Sequence, residues 1–148
     1  MALATITGTL ADFGRGNLAA RQPEIIFNPS GPTTVISDGS TLAGVPIVVT
    51  PDSAGAWSQS FVPYDDQSPR RYLTMQIRML DPGAEYIYID FPDWQILVPT
   101  TGGRLTDILD LPLDAGFVWS VAGETIPAEA RPGDWLLNTL TSDVFKLS

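Results

Sequence analysis

Between residues 72 and 79 the chain alternates: Leu73, Met75, Ile77 and Met79 fall on one side, and Tyr72, Thr74, Gln76 and Arg78 on the other. A period of two is that of a strand with one face buried. Asp81, Pro82 and Gly83 then interrupt it, since proline presets φ and glycine accepts positive φ. The next run, residues 85–90, sets Tyr86 and Tyr88 against Ile87 and Ile89, so the two runs predict a hairpin. Strands are predicted in the same way at residues 5–10, where Ile6 and Leu10 oppose Thr5, Thr7 and Thr9, and at residues 25–27. A weak strand follows at 33–37 and a stronger one at 45–50, with Pro46 placing its start on a sheet edge. Trp57, Gln59 and Phe61 share a face in the next, and further strands are expected at 94–98 and 117–121. A terminal hairpin pairs 135–138 with 144–147 about a turn at 139–143. Turn chemistry at residues 12–17, 28–32, 38–39 and 51–55 separates these runs, and Leu105–Leu109 is the only helical candidate. Short strands punctuated in this way predict an all-β fold, an antiparallel β-sandwich with a small C-terminal β-hairpin arm.

The pattern changes after residue 100. Gly102-Gly103 and the loop at 111–116 set off a smaller region, giving a sandwich over residues 1–100 and a linker and arm over 101–148. Such an arm is too small to form its own core and must dock on the sandwich or on another chain. The whole chain of 148 residues is the size of one domain, and 44% hydrophobic against 17% charged residues supports a core. A net charge of −9 argues against nucleic-acid partners, because phosphate neutralisation needs clustered Lys and Arg. No apolar run is long enough to insert in a membrane, and neither a basic segment nor a long apolar stretch follows Met1. The expectation is therefore synthesis in the cytoplasm without a signal peptide.

With no His and no Cys, the usual triads, thiolate sites and most zinc sites are missing their residues. Paired carboxylates are the remaining route to hydrolysis, with Asp65, Asp66, Asp81, Glu85, Asp90 and Asp93 as candidates. Their positions in turns, loops and strand ends read better as structure, and no D-x-D-x-D-G calcium loop occurs. Gly14-Arg15-Gly16 lacks the strand-to-helix setting of a phosphate loop. The expectation is a protein that is not an enzyme and uses no metal or cofactor. Tyr72, Tyr86, Tyr88, Phe91 and Trp94 form a candidate aromatic surface, for stacking on sugars or for contact with a protein, with core packing as the alternative.

The segments TITGTLADFG (5–14), PEIIFNPSGP (23–32), YLTMQIRMLD (72–81), DFPDW (90–94), VPTTGG (98–103) and PGDWLLNTLTSDVFKL (132–147) carry a resemblance in their order and spacing. Together they resemble the short minor tail proteins of phages that infect actinobacteria. The opening of the chain is also similar to transthyretin-like and carboxypeptidase-regulatory-like sandwiches of the Ig type, and the terminal hairpin resembles those of phage fibre proteins, with Ser142 standing where glycine is usual. The resemblance implies a non-enzymatic virion component at the tail tip or in a fibre. Its expected partners are further copies of itself, taken as a trimer, other virion proteins, and host cell-surface glycan. Phe117, Trp119, Trp135 and Phe145 of the arm are the expected oligomer or virion contacts. A host-glycan-binding module and a capsid decoration protein are the alternative readings.

Overall fold

The alternation read between residues 72 and 79 is the organising feature of the main sheet. The computed structural model describes residues 2–10, 21–80, 85–91, 94–109 and 118–148. The first strands are β1 (Ala4–Thr9), β2 (Glu24–Pro29), β3 (Thr33–Val35), β4 (Thr41–Leu42), β5 (Ile47–Val49), β6 (Ala56–Phe61) and β7 (Gln67–Ser68). They are followed by β8 (Leu73–Leu80), β9 (Tyr86–Asp90), β10 (Gly103–Arg104), the short helix α1 (Leu105–Leu109), β11 (Val118–Val121), β12 (Trp135–Asn138) and β13 (Val144–Lys146). The expected turns at 12–17 and 81–83, the Gly14-Arg15-Gly16 turn and the loop at 111–116 lie outside the described residues.

Strand β8 buries Leu73, Met75, Ile77 and Met79 and leaves the intervening side chains half-exposed. It pairs antiparallel with β9 from Gln76↔Asp90 to Leu80↔Tyr86, which is the expected hairpin. The seven-stranded sheet runs β13-β12-β11-β9-β8-β2-β5, and a three-stranded sheet runs β10-β1-β6. The fold is an all-β sandwich. Its two sheets meet through Phe27 of β2, whose ring lies 5.5 Å from that of Trp57 and 5.1 Å from that of Phe61, both on β6. Ile6, Ile25, Ile77, Ile89 and Ile96 join the same buried cluster, and each such side chain taken out of water contributes about 1.5–3 kcal/mol. A second three-stranded sheet, of two- and three-residue strands, runs β4-β3-β7.

The C-terminal segment docks by strand pairing. Strand β11 pairs antiparallel with β9, extending the main sheet, and β12 then runs parallel to β11 before turning into β13. Parallel neighbours require a crossover, and the chain from 122 to 134 provides it. Asn138 secures the junction, its buried side-chain oxygen accepting the amides of Gly123 and Leu140 at 3.1 and 3.0 Å. Residues 94–98 do not make the full strand expected of them. They contribute one bridge, Leu73↔Ile96, because Pro99 and a backbone bond from Tyr64 N–H to the Val98 carbonyl turn the chain away.

The turn from β12 to β13 holds Ser142 at φ 64°. This is the left-handed region, which costs a side-chain-bearing residue about 1 kcal/mol or more. Ser142→Gly is therefore expected to stabilise the protein by about 0.5–1 kcal/mol, raising the unfolding temperature by roughly 2–4 °C. Differential scanning calorimetry checks it, and a lowered midpoint would mean that the Ser142 side chain contributes more than its backbone costs.

Candidate functional site

The residues expected to form functional surfaces are divided by the sheets between core and solvent. Phe91 and Trp94 are only 2% and 3% exposed, stacked on one another at 4.5 Å between ring centres. They anchor the turn after β9 into the core and are no part of an exposed surface. The candidate aromatic surface contracts to Tyr86, which is 55% exposed, with Tyr72 and Tyr88 half-buried. Alternation explains the split, since Tyr86 and Tyr88 lie on the opposite face of β9 from Ile87 and Ile89. The Arg78 guanidinium sits 5.0 Å from the centre of the Tyr86 ring while pairing with Glu24. That hydrogen bond from Arg78 to Glu24 holds the guanidinium pKa above its ordinary value.

Trp119 is likewise misplaced among the expected contact residues. It is fully buried, and its Nε1–H donates to Asp134 Oδ2 at 2.9 Å. The same carboxylate oxygen accepts the Arg131 amide at 3.0 Å. A buried carboxylate is costly unless it is hydrogen-bonded, and here it ties the crossover to β11. Phe145 sits opposite the buried Leu136 and packs against the core, so it too faces mainly inward. Phe117 lies outside the described residues.

Of the described members of that set, Trp135 is the one that is exposed, at 41%. Cross-strand pairing places it opposite Lys146, whose ammonium lies 5.9 Å from the ring centre, and places Leu137 opposite Val144. Opposed residues on paired strands share one face, so Trp135, Leu137 and Val144 form a patch at the edge of the main sheet. Leu140, 75% exposed in the adjoining turn, extends it. Strand pairing aligns residues that the sequence separates, which is why Val144 and Leu140 escaped a reading along the chain.

Three of the six candidate carboxylates hold loops or strands together. Asp66 accepts both the amide and the hydroxyl of Ser37, at 2.8 and 2.7 Å, and Asp65 accepts the Thr100 hydroxyl at 3.0 Å. Asp90 accepts from Gln76 at 2.6 Å and from Ser120 at 3.0 Å, stitching β8, β9 and β11 together. Glu85 is exposed, and Asp81 and Asp93 lie outside the described residues. Among the described residues no three metal-ligating side chains converge.

A second apolar feature lies at the opposite side of the main sheet from the Trp135 patch. An open cleft of about 390 Å³ is walled by Leu3, Leu42, Val45, Ile47, Phe61 and Val98, with Arg71 in its lining. The volume falls within the range typical of binding sites. Leu3 and Val45 stand more than half exposed at its walls, where isolated apolar side chains become a continuous surface. The chain matches no protein-family model and no curated protein.

Proposed function

We propose that this chain is a non-enzymatic structural subunit of a bacteriophage virion, a minor tail protein at the tail tip or in a fibre, held in the particle through the edge of its main sheet. The observation that carries the reading is the apolar patch of Trp135, Leu137, Leu140 and Val144 on and beside the edge strand β13. An open edge flanked by exposed apolar side chains favours contact with another chain. The resemblance of the ordered sequence segments to short tail proteins of actinobacterial phages suggests the biological setting. Repetition of one small β-domain around a symmetry axis is the ordinary way such parts assemble.

The test is electron microscopy of intact particles labelled with an antibody raised against the chain. Label at the tail tip or fibres is the expected result. Label over the head would make this a decoration protein, and no label on intact or disrupted particles would overturn the virion reading. An isolated chain that holds host cell-wall glycan would instead favour the binding module.

The patch itself is tested by the double substitution Trp135→Glu, Val144→Lys. Both side chains are exposed, so the monomer is expected to unfold within about 1 kcal/mol of the parent. Incorporation into particles, when the variant is supplied in trans, is expected to fall at least about tenfold, the equivalent of losing about 1.4 kcal/mol of contact energy. Normal incorporation would place the assembly surface elsewhere. Cutting the chain at Gly103 is a poorer test, because it also removes Trp119, Val121 and Leu136 from the core.

A further inference from the structure

The cleft beside Arg71 lies on the flank of the sandwich where both sheets end. Ile47 belongs to β5, the last strand of the seven-stranded sheet, while Ser60 and Phe61 belong to β6, the last strand of the three-stranded sheet. The outer side of a terminal strand carries backbone donors and acceptors that its own sheet does not pair. The segment joining β4 to β5 forms one wall, and it is packed closely: a Cβ on Gly44 would lie 3.0 Å from the Gly31 carbonyl carbon. The wall is thus built into the fold, as a preformed site requires.

Arg71 gives the cleft its polarity. Its Nε–H donates to the Pro32 carbonyl at 3.2 Å, and the guanidinium lies flat against Gly31, within 3.2 Å of where a Cβ would be. No carboxylate pairs with it among the described residues, although the chain carries a net charge of −9. Arg71 lines the cleft, so its guanidinium is the cation that a carboxylate entering there would meet. An apolar floor, two terminal strands and one cation with no carboxylate partner among the described residues define the complement: an extended segment with alternating apolar side chains and one acidic residue.

We propose that this cleft receives such a segment from a neighbouring protein, added as a strand along the open flank with its carboxylate on Arg71. Main-chain pairing to a sheet edge supplies affinity in this mode of recognition, and the pockets for alternate side chains supply selectivity. The inference rests on the reading of the chain as an assembly subunit and gives that subunit a second contact, distinct from the Trp135 patch.

The probe is the capped peptide Thr-Val-Thr-Val-Glu-Val-Thr-Val-Thr, titrated into the isotope-labelled full chain and followed by NMR. Shifts are expected at Leu42, Val45, Ile47 and Phe61. Replacing the peptide's Glu by Lys, or the protein's Arg71 by Glu, should weaken binding about tenfold or more, as loss of a charge-assisted pair implies. The Arg71→Glu protein should then prefer the Lys peptide. Arg71→Gln, which keeps a neutral donor and changes the charge by less, should give an intermediate affinity and guards against a folding defect in the reversed variant. Shifts centred elsewhere, affinity indifferent to both charges, or no binding would overturn the proposal. So would saturation of the cleft by dodecanoate with the peptide excluded, which would make the occupant a small amphiphile. None of these outcomes alters where an antibody labels the particle, so the two readings fail separately.

Discussion

Trp119→Ala is expected to destabilise the protein by about 4 kcal/mol, the middle of the range for removing a buried tryptophan. Two losses combine. The indole, carried by β11 between β9 and β12, is fully buried, so truncation leaves a large void in a close-packed interior. Its Nε1–H also donates to the buried Asp134 carboxylate, and a buried anion deprived of a donor adds about 1–3 kcal/mol. Trp119→Phe separates the terms, keeping most of the ring volume while removing the donor, and should cost about 2 kcal/mol. Urea unfolding measures both. In a double-mutant cycle with Asp134→Ala the two losses should fall well short of additivity, as expected of contacting residues. Additive effects would mean that the indole and the carboxylate act independently, and a cost below about 1 kcal/mol for Trp119→Ala would show that the C-terminal strands contribute little to the core.

The second large effect is expected at Gly102. Its φ is 65°, and a Cβ built there would lie 2.3 Å from the carbonyl oxygen of Thr5. Thr5 cannot withdraw freely, because β1 is held on its two sides by β6 and β10. Gly102→Ala therefore combines a left-handed backbone with a backbone collision, and about 3 kcal/mol of destabilisation is expected. Gly39 provides the internal comparison: its φ is 72°, but a Cβ there would meet nothing within 4 Å. Gly39→Ala should cost about 1 kcal/mol, the conformational part alone. Equal costs in thermal unfolding at the two positions would mean that the chain around Thr5 yields, and that the β1–β10 contact is loose.

The elements governed by local alternation were legible in the sequence. The β8–β9 hairpin, helix α1 at Leu105–Leu109 and the terminal hairpin all follow from spacing and turn residues. The parallel pairing of β11 with β12 does not, because nothing in either four-residue run marks its partner across a crossover. The candidate surfaces show the same boundary. Tyr86 and Tyr88 alternate with isoleucines and could be assigned a face. Phe91, Trp94 and Trp119 lie where burial depends on what covers them, and an aromatic side chain serves a core or an interface equally well. The cleft was illegible for a stronger reason, since its walls come from segments as distant as Leu3, Ile47 and Val98.

The pairing of Ile6 with Gly103 across β1 and β10 has a kinetic consequence. The first strand is flanked on one side by residues almost a hundred positions away, and the outer edge of β9 is covered by β11, about thirty positions on. Such distant pairings require the loss of much chain entropy before any contact repays it, which places folding in the slow range, on the order of milliseconds to seconds. They also bind early and late segments into one cooperative unit. A protease acting on the native protein should meet few partly open forms, so digestion is expected to convert intact chain directly to small peptides without a stable core fragment.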